Sequence, residues 1–137
     1  MEILITNDDG WGAKGILTIV RIMSDLGHVT VVAPDGAHSG MSNAITVAQP
    51  IYLRQLNDPS WGAEEWQKNV TVYTTNGTPS DCVKLAIDVV CEGDSSKIDL
   101  LVSGINHGSN AGINVIYSGT MGACFVGAEH GIPSIGF

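Results

Sequence analysis

Apolar residues run along the chain in short bursts, each closed by glycine, asparagine, serine or aspartate. Ile3-Leu4-Ile5 is compact and β-branched-rich, and predicts a buried strand. Asn7-Asp8-Asp9-Gly10 cannot prolong it, because these residues favour turns and tolerate unusual backbone angles. Ile16, Ile19, Val20, Met23 and Leu26 then recur at helical spacing. Strand, tight loop and helix make the first half of a βαβ unit. His28 to Ala33 predicts a second strand, ended by Pro34-Asp35-Gly36, and a polar loop from Ala37 to Asn43 follows.

The pattern then changes. Ile45, Val47, Ile51 and Leu53 alternate with other residues around Pro50, and Val70 to Thr74 alternates similarly. Nothing helical separates them, so they predict a small antiparallel flap. Asn57 to Asn69 between them is polar, carries Trp61 and Trp66, and reads as a mobile loop. Gly77-Thr78-Pro79-Ser80-Asp81 is a strong helix start: Thr78 caps, Pro79 suits the first helical position, and Asp81 sits where the dipole favours it. Val83, Ala86, Ile87 and Val90 supply the buried stripe. Asp99 to Ser103 is the next strand, running into a glycine-rich loop from Gly104 to Gly112. Ser118-Gly119-Thr120 opens another helix, thin at Gly122, Ala123 and Gly127 and stopped at Gly131; Ile132 to Phe137 begins one more strand. Strands alternating with helices imply an α/β fold, a Rossmann-like three-layer sandwich with a mostly parallel sheet and right-handed crossovers.

Composition narrows the function. A chain of 137 residues, 44% hydrophobic, suffices for one domain with a real core. A formal charge of −8 with only 6 Lys plus Arg removes the basic footprint of a nucleic-acid binder. An acidic protein that handles an anion needs a cation or backbone amides to do so. Cys82, Cys91 and Cys124 lack metal-ligand spacing and read as reduced core residues. No apolar run could span a bilayer and no signal peptide is evident, so the expectation is a cytoplasmic protein without membrane or nucleic-acid-polymer partners.

In open α/β sheets, ligands bind outside the carboxyl ends of the strands. Asp8 and Asp9 fall at such an end. Adjacent carboxylates repel, and a cation or a shared proton relieves them. Hard oxygen ligands suit Mg²⁺, Mn²⁺ or Ca²⁺. Taken alone, Asn-Asp-Asp-Gly is more often a solvated turn. Two further loops follow strands on the same rim, one bearing Ser39 and one bearing Asn106, while the helix start at Ser118 offers amides to an anion. Carboxylates, neutral oxygens and amides together describe a site for a phosphate ester. Ser39 could instead bond its own loop, and Asn106 could be a turn-former. His38 and His107 read as solvated loop residues, and Tyr52 and Tyr73 as flap packing.

The chain resembles the survival protein E (SurE) family of metal-dependent nucleotidases. The matching pieces are Asn7-Asp8-Asp9-Gly10, Ala33-Pro34-Asp35 with Ser39-Gly40, Gly77-Thr78-Pro79-Ser80-Asp81-Cys82-Val83, Ser103-Gly104-Ile105-Asn106 and Tyr117-Ser118-Gly119-Thr120. Five pieces in register along nearly the whole chain are highly specific. The resemblance implies a metal-dependent 5'-nucleotidase, an acid-phosphatase-like phosphomonoester hydrolase acting on nucleoside monophosphates and also on short polyphosphate. It implies one divalent cation, Mg²⁺ or Mn²⁺ with Ca²⁺ also compatible, on Asp8, Asp9, Ser39 and Asn106. Asp8, Asp9 and Asn106 would be catalytic, with Asn7, Ser39, Gly108, Ser118, Gly119 and Thr120 around the substrate. A homodimer or homotetramer is implied as well. Two departures stand out. Family members run roughly a hundred residues further, so residues 1–137 would be a SurE-like domain lacking the family's C-terminal part. Val126 stands where the family usually has Glu. The alternative reading is a truncated, non-catalytic module that binds metal and nucleotide. A dinucleotide-binding Rossmann domain fits poorly, because the first βα turn lacks G-x-G-x-x-G.

Overall fold

The structure, a computed structural model, describes residues 1–57 and 65–137. Its centre is a six-stranded sheet. Strands β1 (Glu2–Thr6), β2 (His28–Pro34), β3 (Arg54–Gln55), β4 (Val70–Thr75), β5 (Leu100–Ser103) and β6 (Ser134–Gly136) lie in the order β3-β4-β2-β1-β5-β6. All neighbouring pairs are parallel except β3 with β4, where Arg54 faces Thr74 and Gln55 faces Tyr73. From β1 the chain moves outward to β2 and β4, then returns across to β5 and β6. The direction reverses between β1 and β5, and such a switch point is where open α/β sheets leave a crevice.

Three helices cover the sheet: α1 (Lys14–Met23), α2 (Pro79–Leu85) and α3 (Gly119–Glu129). Alternation along β1 divides the core in two. Ile3 and Ile5 join Val29, Val31, Val72 and Val102 under Ile16, Ile19 and Val20 of α1. Leu4 joins Val32 and Leu101 under Cys82 and Val83 of α2 and Ala123 and Val126 of α3. The result is the three-layer α/β/α sandwich expected from the sequence. Val126 closes this second apolar layer at 7% exposure.

Local chemistry explains most boundaries. At α2 the Thr78 hydroxyl accepts from the Asp81 amide at 3.2 Å, and the Asp81 carboxylate accepts from the Thr78 amide at 2.9 Å, a complete capping box. After Leu85 the helix widens into a π turn, Ala86–Val90. The structure differs from the sequence reading in three places. Helix α1 ends at Met23, leaving Leu26 58% exposed beyond the stripe. Val70 to Thr75 is no mere flap strand: its main partner is β2, in parallel, and only Arg54–Gln55 adds the antiparallel pair. Residues 45 to 53 form no regular strand, and Val47 is 84% exposed. The backbone there bonds to α2 instead. Thr46 N–H donates to both Asp81 oxygens at 3.1 and 3.2 Å, and the Thr78 hydroxyl donates to the Ala44 carbonyl at 2.6 Å. The expected mobile loop at Asn57 to Asn69 falls mostly outside the described residues, Trp61 among them; within it, Glu65–Asn69 is a 3₁₀ turn. Tyr52 is exposed and donates its hydroxyl to Asp35 at 2.6 Å, while Tyr73 packs against the second core layer.

Candidate active site

The crevice at the switch point is walled by the loops after β1, β2 and β5 and by the start of α3. Asp8, Asp9, Ser39, Gly40, Asn106 and Ser118 line a cavity of about 310 Å³ there. The elements position these groups in a definite way. Asn7 is fully buried and closes the turn after β1: its amide donates to the Gly10 carbonyl at 2.9 Å, and its carbonyl accepts from Gly10 N–H at 3.2 Å. Gly10 has φ of 101°, a conformation glycine adopts without strain. The turn leaves Asp8 nearly buried, at 3% exposure, and Asp9 half-buried beside it.

Asp8 is held from across the fold. The Thr120 hydroxyl, in the first turn of α3, donates to its Oδ1 at 2.9 Å. Burial pushes the Asp8 carboxyl above its ordinary value; the Thr120 bond pulls it down in part, and the charge of Asp9 raises it again. Gly119 makes this proximity possible. A Cβ there would stand 3.1 Å from the Asp8 Cβ and 3.3 Å from the Pro79 Cγ. Asp9 Oδ2 is buried and has no hydrogen-bond partner among the described residues. Nearly all buried polar atoms find a partner, so this one is an exception that asks for a ligand.

Asn106 is oriented by its amide, which donates to the Gly108 carbonyl at 3.0 Å and to Asn110 Oδ1 at 3.2 Å. Its Oδ1 is therefore the atom that could ligate an ion. Ser118 caps α3: its hydroxyl accepts from Met121 N–H at 3.1 Å and donates to Asn110 Oδ1 at 2.7 Å. The first amides of α3 have no carbonyl a turn earlier and face the crevice end of the helix. Among the described residues, no three His, Cys, Asp or Glu side chains cluster. A cation here would thus be bound by two carboxylates and neutral oxygens, a donor set suited to Mg²⁺, Mn²⁺ or Ca²⁺. The orphaned Asp9 oxygen and the like-charged pair fit such an ion.

The structure brings Asp8, Asp9, Ser39, Asn106, Gly108 and Ser118 together around the cavity, with His107 also on its wall. It does not bring Asn7, Gly119 or Thr120 onto that wall: Asn7 serves the turn, and Gly119 and Thr120 serve Asp8. Asn110 was not singled out from sequence. It ties Asn106, Ser118 and, through its amide at 3.1 Å, the Phe137 carbonyl into one network. Its only signal was a place four residues beyond Asn106 in an asparagine-rich loop. A second cavity, about 370 Å³, opens at the opposite ends of β1 and β2. Leu4, Ala86, Val90 and Ile98 make its walls mainly apolar, and it has no carboxylate pair.

The family model of survival protein SurE matches residues 3–137. A 5'-nucleotidase SurE of Flavobacterium psychrophilum is 47% identical over 98% of this chain and 49% of its own length. One of Christiangramia forsetii is 50% identical over 98% of this chain and 48% of its own. The crystal structure of SurE protein from Aquifex aeolicus superposes with a TM-score of 0.82 at 36% identity, covering 100% of this chain and 50% of that one. The chain spans about half the length of the relatives it matches.

Proposed function

Taking as premise that the chain belongs to the SurE family, we propose that it forms the metal- and phosphate-binding part of a divalent-metal-dependent phosphomonoesterase acting on nucleoside monophosphates. One observation carries the reading: a carboxylate pair at the switch point, one of its oxygens buried without a partner, beside the start of a helix. The names of the relatives support nucleotides as the substrate class.

Asp8, Asp9, Ser39 and Asn106 are the residues that would hold the ion. A bound divalent cation polarises a phosphoryl oxygen and offsets its charge. Thr120 fixes Asp8 through Oδ1, which leaves Oδ2 to orient the attacking water and accept its proton. Water adds to phosphorus as the P–O ester bond breaks, and the proton that Asp8 accepted passes, through solvent, to the leaving nucleoside oxygen. Asn110 engages the Asn106 amide, so that the Asn106 carbonyl oxygen is the atom that would meet the ion. The positive end of α3, which begins at Ser118 on the cavity wall, would offset negative charge on the transferred group. Short polyphosphate offers the same terminal phosphoryl chemistry and is a second substrate of this proposal.

Calorimetric titration with Mn²⁺ is expected to show about one site per chain. Asp8→Asn combined with Asp9→Asn should abolish it, and equal affinity in the double variant would reject the cation site. Phosphate release from nucleoside 5'-monophosphates should stop with EDTA. Mn²⁺ binding without any release would favour the second reading, a non-catalytic module that binds metal and nucleotide.

A further inference from the structure

Ser39 is the proposed ligand on an exposed loop, and among the described residues no side-chain hydrogen bond of its own holds it. Its neighbours therefore set its place. On one side His38 N–H donates to the Asp8 carbonyl at 2.7 Å. On the other, Ser42 makes three contacts with the approach to α3. Its N–H donates to the Tyr117 carbonyl at 3.1 Å, and its hydroxyl donates to the Ile116 carbonyl at 2.7 Å. Its own carbonyl oxygen lies so close to Gly122 that any Cβ there would collide with it. Ser42 also holds φ at 54°, a region a non-glycine residue enters only when its surroundings impose it. Ile116 and Tyr117 lead directly into Ser118, which caps α3 and bonds Asn110. The Ser39 loop, the Asn106 loop and the start of α3 are in this way fastened to one another.

We propose that Ser42, seated against Gly122, is a positioning residue that fixes the distance of Ser39 from the Asp8–Asp9 pair. The inference deepens the cation reading above and rests on it. Gly122 is then small for a functional reason: it lets the loop carbonyl settle on α3. The GTPSD stretch has a matching task, since Thr78 and Asp81 hold Ala44 and Thr46 just beyond Ser42. Residues 42–46 act as a strap across the starts of both helices.

The test uses the chain itself, Ser42→Gly, Gly122→Ala and, as control, Gly36→Ala, whose added methyl meets open space. Ser42→Gly keeps the positive φ without strain and deletes the hydroxyl. Gly122→Ala pushes the loop from the other side. Amide hydrogen exchange reads the order of residues 38–43, and Mn²⁺ titration reads the site. Both variants should exchange faster in that segment and bind Mn²⁺ about fivefold more weakly, the scale of one lost hydrogen bond. The control should match the parent in both. Unchanged exchange in Ser42→Gly overturns the latch, and Ser42→Gly decides the matter if Gly122→Ala fails to fold. Faster exchange with unchanged Mn²⁺ affinity overturns the positioning role alone. A parent chain that binds no Mn²⁺ overturns the cation reading together with it.

Discussion

At the scale of single residues, the crevice holds a carboxylate at a cost in stability. Asp8 is desolvated and faces the like charge of Asp9. A carboxyl raised in the folded state contributes stability that is complete below its unfolded value and is lost as pH rises through the folded one. The metal-free chain therefore carries this penalty at neutral pH. Asp8→Asn should raise the melting temperature of the metal-free protein, by about 1 kcal/mol in stability, while Mn²⁺ no longer adds further stabilisation. A melting temperature lowered by the substitution would contradict the penalty. Thr120→Val removes the hydroxyl that holds Asp8 Oδ1 while nearly keeping volume. It should leave the fold intact and weaken Mn²⁺ binding about tenfold, on the scale of a hydrogen bond to a charged group. That Asp8, Asp9, Ser39 and Asn106 meet at one cavity was legible in the sequence, because each follows a strand on the same rim. Asn110 was not, because its role lies in where its amide points, and no spacing rule encodes that.

At the scale of elements, legibility followed burial. Strands β1, β2 and β5 are apolar runs covered on both faces, and they read directly as strands. Strand β4 ends in Thr74 and Thr75, both fully buried, so its polar letters concealed a central parallel strand. Residues 44–53 misled in the opposite sense: their alternation resembles a strand, but the Thr46 and Ala44 backbones are bonded to α2's cap. Asp81 is the group that holds this segment, through Thr46. Burial pushes its carboxyl up, but hydrogen bonds from Thr46 and Thr78 outweigh this and hold it below the ordinary value. A lowered carboxylate stabilises the fold above its unfolded pKa and loses that contribution as pH falls through the folded one. Asp81→Asn should cost about 1–2 kcal/mol at neutral pH, the scale of a lost cap. Denaturant melts from neutral pH toward pH 3 should show the gap from the parent shrinking. A pH-independent gap would assign the loss to shape and not to charge.

At the scale of the whole molecule, the sheet has an uneven pair of edges. On one side β3 is only two residues long, with Arg54 and Gln55 exposed, a short polar edge that resists pairing. On the other side β6 has no further strand beside it among the described residues, and Phe125, Ile135 and Phe137 near it are 47%, 46% and 47% exposed. Parallel strands are normally covered on both faces, so this edge offers both unpaired backbone and apolar surface to a second copy. The net charge of −8 opposes that contact by mutual repulsion. Salt screens such repulsion, with a Debye length of about 10 Å at 0.1 M and about 3 Å at 1 M. A polypeptide of these 137 residues should therefore self-associate through β6, and more so as salt rises, opposite to an assembly held by ion pairs. Ile135→Lys places a charge on the edge and should shift the chain toward monomer with little effect on Mn²⁺ binding, since Ile135 does not line the crevice. Light scattering at low and high salt reads both effects. Association that weakens with salt, or that Ile135→Lys leaves untouched, would place the contact elsewhere on the surface.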